Sequence, residues 1–358
     1  RSRGNCNLNP EHVAETIRAK QPVSLTRAGS IEWARSRRSL PKLASLSYDS
    51  AQSGAYPFTV AVPLNRMIVR SRENMIKLSD RDGNSSREKG DSREHGAWDG
   101  LLADAAPRDH VVQLYQDQDF LNRAVCRFAA AALANGEGLI LVPTVSHWNS
   151  FRPRLLAEGI DVEAAKKRGQ LTVVDADELL PRFMRDAMPD APVFLGLAAD
   201  VVARARGGGR YAKVRWWGEM VNILWERGDV AASMNLEDLF DQLANQHDIA
   251  IFCSFLMDNF DGEIHTRILP RLGENHSHLI PVEDYARLER AVADALCETV
   301  GPDQARVLES QLLAQIPAPL SMPRAQALLL ALRQVLPTVS DSVLQRSRKL
   351  YTADLAGR

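Results

Sequence analysis

"HVVQLYQDQDFLNRAVCRF", residues 110–128, reads as a short apolar strand, a turn and an amphipathic helix. Nucleotide-binding α/β domains open in this way. The turn, Tyr115-Gln116-Asp117-Gln118-Asp119, contains neither glycine nor lysine. A phosphate loop needs glycines so that backbone N–H groups can approach the phosphates, and a lysine to meet their charge. Here two carboxylates stand where an anion would sit. The stretch sets an architecture and argues against polyphosphate.

Downstream, the pattern repeats. "GLILVP" is a second continuous apolar strand, "GQLTVVDA" a third, "YAKVRWWGEM" a fourth and "IAIFCSF" a fifth. Between them run "DFLNRAVCRFAAAALANG", "HWNSFRPRLLAEG", "DELLPRFMRD", "APVFLGLAADVVARARGGG" and "NLEDLFDQLANQ", all at helical spacing. Apolar strands separated by helices give a mostly parallel sheet covered on both faces, a three-layer α/β domain over 99–280. Residues 281–358 lack strand patterns and read as a helical C-terminal appendage, suited to packing on the sheet domain or on a partner. Residues 1–98 carry charged stretches such as "SREKGDSREHGAWDG" and no sustained period, which predicts disorder. The chain begins at Arg1, and Met75 is the expected natural start, with 1–98 in part an over-extended reading frame.

Composition narrows the function classes. The 358 residues are 45% hydrophobic and 25% charged, which is ordinary globular usage. A net charge of -1 argues against direct nucleic-acid binding and against an anionic membrane surface. No apolar run approaches the roughly 20 residues that span a bilayer, and the first residues lack a signal-peptide core. Cys6, Cys126, Cys253 and Cys297 are far apart, with no metal-type spacing. A cytoplasmic protein with reduced thiols is expected.

In parallel open sheets, ligands bind beyond the carboxyl ends of the strands. The residues that follow the apolar runs are Tyr115 and Asp117, Thr144 with Ser146, His147 and Trp148, Asp175, Gly218 and Glu219, and Asp258. This rim suits a modest organic ligand better than a polyphosphate. Glu219, directly after a strand and a glycine, occupies the place of a water-activating carboxylate, with no loop opposite it to hold phosphate and Mg²⁺. His276 and His278 in "ENHSHLIP" point the same way on an extended strand, a weak metal pair lacking a third ligand and with no cysteine nearby. His110 lies at the amino end of its strand and reads as structural. "RARGGGR" follows a helix and precedes a strand, the reverse of a phosphate loop. There is no Gly-x-Ser-x-Gly elbow.

The ordered set "HVVQLYQDQDFL", "ANGEGLILVPT", "LLAEGIDVEAAKKRGQLTVVDADELL", "WWGEMVNILWERGD", "LEDLFDQLANQHDIAIFCSF" and "HSHLIP" resembles the MEDS (methanogen/methylotroph sensory) domain, from His110 to about Phe260 and more loosely to Pro281. The resemblance implies a RecA/KaiC-like sheet that has lost the phosphate loop and senses a small molecule, proposed to be a hydrocarbon derivative. It also implies roles for His110, Tyr115, Gly218, Glu219 and Glu237, which fall on the family's recurring polar positions. No helix-turn-helix and no kinase motif accompanies it here, which leaves the C-terminal helices as the output route, to a signalling partner or a second copy. The expectation is a non-catalytic cytoplasmic sensor of a small organic ligand, without a cofactor. Its candidate ligand-binding residues are His110, Tyr115, Asp117, Thr144, Asp175, Gly218, Glu219 and Glu237. The rivals are an ATP-binding enzyme or regulator with a divergent site around Glu219 and Asp175, and an interaction scaffold with no ligand.

Overall fold

The computed structural model describes residues 97–314 and 321–356. The disorder expected for 1–98, and the start expected at Met75, therefore lie outside the described residues except at Ala97 and Trp98. Those two open a helix, α1 (Ala97–Ala103), and Trp98 is buried.

The quoted strand is β1 (His110–Tyr115), and its helix is α2 (Gln118–Ala134). There follow β2 (Gly138–Val142), α3 (Val145–Ala157), α4 (Val162–Lys167), β3 (Leu171–Val173) and α5 (Ala176–Phe183). A two-residue hairpin, β4 (Met184–Arg185) and β5 (Met188–Pro189), leads to α6 (Ala191–Ala205) and β6 (Val214–Gly218). The domain closes with α7 (Met220–Glu226), α8 (Val230–His247), β7 (Ala250–Leu256), a π-helical turn at 264–268, α9 (Leu269–Asn275) and β8 (His278–Ile280). The main sheet runs β3-β2-β6-β7-β1-β8, and every pairing in it is parallel.

Alternate residues of each strand feed two separate cores, as the period of two requires. Val112, Leu114, Ile140, Val142, Trp216, Ile251 and Phe255 pack with α5–α8. Val111, Leu139, Leu141, Trp217 and Phe252 pack with α1–α4 on the other face. This two-sided burial is why the strands are apolar runs rather than alternating ones. The three-layer α/β expectation is met, with three differences. A sixth strand, β8, is added beside β1, in the stretch read from the sequence only as an extended run carrying two histidines. The β4–β5 hairpin interrupts what reads as helix. The fourth strand stops at Gly218, so that Glu219 and Met220 leave the sheet and start α7.

The helix starts follow local chemistry. Asp117, Thr144, Asp161, Asp175, Asp190 and Asp284 each precede a helix, and each accepts a first-turn backbone N–H through its side chain. On the α1–α4 face a buried ion pair joins Arg215 of β6 to Glu137. The same guanidinium donates to the Leu102 and Ala103 carbonyls at 2.8 and 2.9 Å, and so closes the carboxyl end of α1.

The C-terminal residues form α10 (Tyr285–Val300), α11 (Pro302–Leu313), α12 (Arg324–Val335) and α13 (Pro337–Ala356). They fasten to the segment that follows β7. Asn259 Nδ2 donates to Gln326 Oε1 at 2.8 Å, Phe260 packs on Tyr351 with ring centres 5.5 Å apart, and Asp258 pairs with Arg348. Ser321 joins the sheet edge, with Leu279 N donating to its carbonyl at 2.9 Å. Among the described residues no helix is long and apolar enough to cross a membrane.

Candidate functional site at the strand ends

β2 and β6 are neighbours, and both end at the same edge of the sheet, at Val142 and Gly218. Glu219 leaves β6 there, its N–H donating to the Val142 carbonyl at 3.2 Å. Its side chain is turned inward, and the residue is only 3% exposed. One carboxylate oxygen accepts the backbone N–H of Thr144. The other faces His147 Nδ1 at 2.5 Å. The far nitrogen of the imidazole, Nε2, lies 2.9 Å from Gln118 Oε1. Nδ1 is thus the donor to the carboxylate, while Nε2 meets the side-chain amide of Gln118. The hydrogen bond to Glu219 raises the His147 pKa above its ordinary value, against the opposing effect of partial burial. The ring lies parallel to Phe151, with centroids 5.8 Å apart.

Tyr115 ends β1 beside this pair, buried, and its hydroxyl accepts from Asn222 Nδ2 at 3.3 Å. Burial first, and the Glu219 charge second, push the phenol well above its ordinary range, so it remains protonated. Asn222 also donates to Glu226 at 3.0 Å and accepts the Leu256 N–H at 2.8 Å. One amide thus ties together the ends of β1 and β7 and the first turns of α7. The rim is therefore a connected polar network of Gln118, Tyr115, Thr144, His147, Glu219, Asn222 and Glu226.

The eight residues named from the sequence do not form one site. Tyr115, Thr144 and Glu219 converge at the strand ends, with Gly218 beneath them. A β-carbon on Gly218 would come within 3.1 Å of Trp216 Nε1. Asp117 and Asp175 sit at the same edge, but their carboxylates accept N–H groups of their own helices, from Asp119 at 2.9 Å and Glu178 at 3.1 Å. His110 and Glu237 lie elsewhere, at the amino end of β1 and on the buried face of α8. His147 stood in the strand-end series without a role, while Gln118 and Asn222 were not singled out. Asn222 follows Glu219 by three residues, the spacing that places two side chains on one helical face, and that signal was present in the sequence.

His110 and Glu237 belong to a second cluster that also contains Cys253 and His276, all buried. His110 Nε2 is 3.2 Å from Glu237 Oε2 and 3.4 Å from Cys253 Sγ. His276 Nε2 is 3.3 Å from the same carboxylate oxygen, and the two imidazole rings lie 3.9 Å apart. Burial lowers the His110 pKa, aided by His276, and burial raises the Cys253 thiol well above its ordinary value. Burial alone would raise the Glu237 carboxyl, and only when His276 and His110 are protonated do their charge and hydrogen bonding pull it down to about 2. The expected pairing of His276 with His278 is corrected here. His276 caps α9 rather than lying in a strand, whereas His278 begins β8 and its Nδ1 meets the Ser277 hydroxyl at 2.8 Å. The partner is His110, brought alongside by the β1–β8 pairing, and a cysteine does lie nearby, carried on β7.

Residues 109–270 match the family described as the MEthanogen/methylotroph, DcmR Sensory (MEDS) domain. No curated protein matches the chain.

Proposed function

We propose, from the match of residues 109–270 to the MEDS sensory domain, that the chain is a non-catalytic cytoplasmic sensor. A small organic ligand binds at the strand-end rim around Tyr115, His147 and Glu219, and the C-terminal helices carry the signal to a partner or a second copy. The observation that carries the reading is the inward-facing Glu219, held by Thr144 N–H and His147 where the carboxyl ends of β2 and β6 meet. A buried carboxylate paired with a half-buried imidazole in that position offers an acceptor and a donor to a neutral polar group, with Tyr115 and Phe151 as aromatic walls. The entering group replaces Gln118, which is exposed, on His147 Nε2.

The ATP-binding alternative has less support. The Asp117 carboxylate accepts the Asp119 N–H at the amino end of α2, the place a phosphate would take, and Asp119 is paired with Arg123 and Arg154. The scaffold reading keeps one observation in its favour: the polar groups of the rim satisfy one another without a ligand.

An output through the helices is supported by contacts that run from the rim toward them. The segment after β7 begins beside Asn222 and supplies Asp258, Asn259 and Phe260 to α12 and α13. A ligand drives such a change only to the extent that it binds one arrangement better than the other.

The test is a thermal-shift comparison on the full chain of Mg-ATP with small uncharged and halogenated organics. The expected result is stabilisation by an organic that is lost in Tyr115→Ala and Glu219→Gln, since a ligand specific to the folded state raises apparent stability. Stabilisation by Mg-ATP alone overturns the proposal, and a flat response to every compound favours the scaffold.

A further inference from the structure

We propose that His110, Glu237, Cys253 and His276 form a zinc-class metal site at the opposite end of β1 from the rim. This goes beyond the sensory reading and does not depend on it.

The hydrogen bonds fix which nitrogens face inward. His110 Nδ1 lies 3.1 Å from the Asn275 carbonyl, and His276 Nδ1 lies 2.7 Å from the Leu272 carbonyl. A carbonyl only accepts, so both Nδ1 atoms carry the proton and both Nε2 atoms turn toward the cluster. An imidazole that donates through one nitrogen to a backbone carbonyl is the arrangement that orients and strengthens a metal-ligating histidine.

Two Nε2 lone pairs then face one carboxylate in a closed space. Neither oxygen of Glu237 has a hydrogen-bond partner, and neither does His276 Nε2, although these residues are at most 5% exposed. Acceptors facing acceptors out of reach of water are costly unless a cation lies between them. Protonating one imidazole answers part of this. Protonating both would place two cations on rings 3.9 Å apart. A single divalent ion answers all of it.

The spacing agrees. Ligands at about 2.0 Å from a tetrahedral ion are about 3.3 Å from each other, and about 3.5 Å when one is a sulfur at about 2.3 Å. The observed separations are 3.2 and 3.3 Å between each histidine nitrogen and Glu237 Oε2, and 3.4 Å from His110 Nε2 to Cys253 Sγ. All four donor atoms lie within 4.8 Å of one another.

The charges also balance. On binding, the Cys253 S–H bond breaks, the sulfur bonds to the metal, and the proton passes to solvent. A divalent ion with one thiolate, one carboxylate and two neutral imidazoles has no net charge, which suits a site shut away from water. Two nitrogens, one thiolate and one carboxylate are ligands of the zinc type. With four protein ligands and no open position, the site is structural: it locks β1, β7, α8 and the carboxyl end of α9 together.

The experiment uses the full chain, expressed with zinc in the medium. Metal content is measured as isolated, and again after unfolding in chelator and refolding with Co²⁺. One zinc per chain is expected, with a cobalt spectrum that shows thiolate-to-metal charge transfer. Cys253→Ala, which leaves a small apolar residue in a buried strand, loses the charge-transfer band, and His276→Ala loses stoichiometric metal. Cys297→Ser, at an exposed cysteine outside the cluster, retains both. A folded wild-type chain that holds no metal by either route overturns the proposal, and so does metal content unchanged in Cys253→Ala and His276→Ala.

Discussion

His147 Nδ1 lies 2.5 Å from a carboxylate oxygen of Glu219, across the gap between the ends of β2 and β6. The pair joins the first turn of α3 to the residue at which the chain leaves β6 for α7, and it sets the protonation of the only histidine at that edge among the described residues. Because the hydrogen bond to Glu219 raises the His147 pKa, the bond stabilises the folded chain most when the imidazole is charged. That contribution is fully present below the unfolded value of about 6.5 and is lost as pH rises through the folded value. Glu219→Gln should remove it. An NMR titration of His147 should show its pKa fall in the variant, and the gap in stability between wild type and variant should narrow above the folded wild-type value. A His147 pKa unchanged by the substitution would contradict this.

Arg215 is the guanidinium that the α1–α4 face is built around. It pairs with buried Glu137, donates to two carbonyls of α1 and lies over the Phe128 ring. Arg215→Met leaves Glu137 and both carbonyls without partners, and should cost about 3–5 kcal/mol. Glu137→Gln keeps an acceptor for Arg215 and should cost less. Urea denaturation of both variants checks the order, and equal losses would show that the carbonyls of α1 do not need the guanidinium.

Gly138 opens β2 against the end of α6. A β-carbon there would run into the Ala205 carbonyl oxygen, a backbone atom that cannot rotate away. Gly138→Ala should destabilise by about 1–3 kcal/mol, as overpacking does. Gly100→Ala, where a β-carbon would meet nothing, is the control. A shift in melting temperature no larger than that of the control would show that the two elements can separate freely.

The fastening of the C-terminal helices should be separable from the sheet. Asn259→Ala removes a buried amide from Gln326, and Phe260→Ala removes the contact with Tyr351. Each should speed proteolysis within α12–α13 while leaving protection of the central strands unchanged. Equal loss of protection in both regions would mean that the helices and the sheet unfold as one unit.

The sequence made β1, β2, β3, β6 and β7 and their helices legible because parallel strands buried on both faces leave uninterrupted apolar runs, and because Asp117, Thr144 and Asp175 mark helix starts. The same capping chemistry concealed how those residues are used: a carboxylate after a strand reads equally as a ligand contact and as a cap. β8 lies in a stretch that reads only as extended, with two histidines, and not as part of the sheet, because its place comes from long-range pairing with β1 and Ser321. The second cluster was hidden for a related reason. Cys253 reads as one more apolar strand residue, and its neighbours come from positions 110, 237 and 276, which only the strand order brings together. The rim pair was half visible, with Glu219 prominent in the sequence and His147 noted without its partner.

The measurement closest to the central claim is amide hydrogen exchange on the full chain, with and without the organic compound that stabilises it most in the thermal-shift comparison. The account predicts slowed exchange at 116–119 and 143–147 on the rim, together with a change across 258–268 and in α12 and α13. Protection confined to the C-terminal helices, with the rim unaffected, would contradict a ligand site at the strand ends.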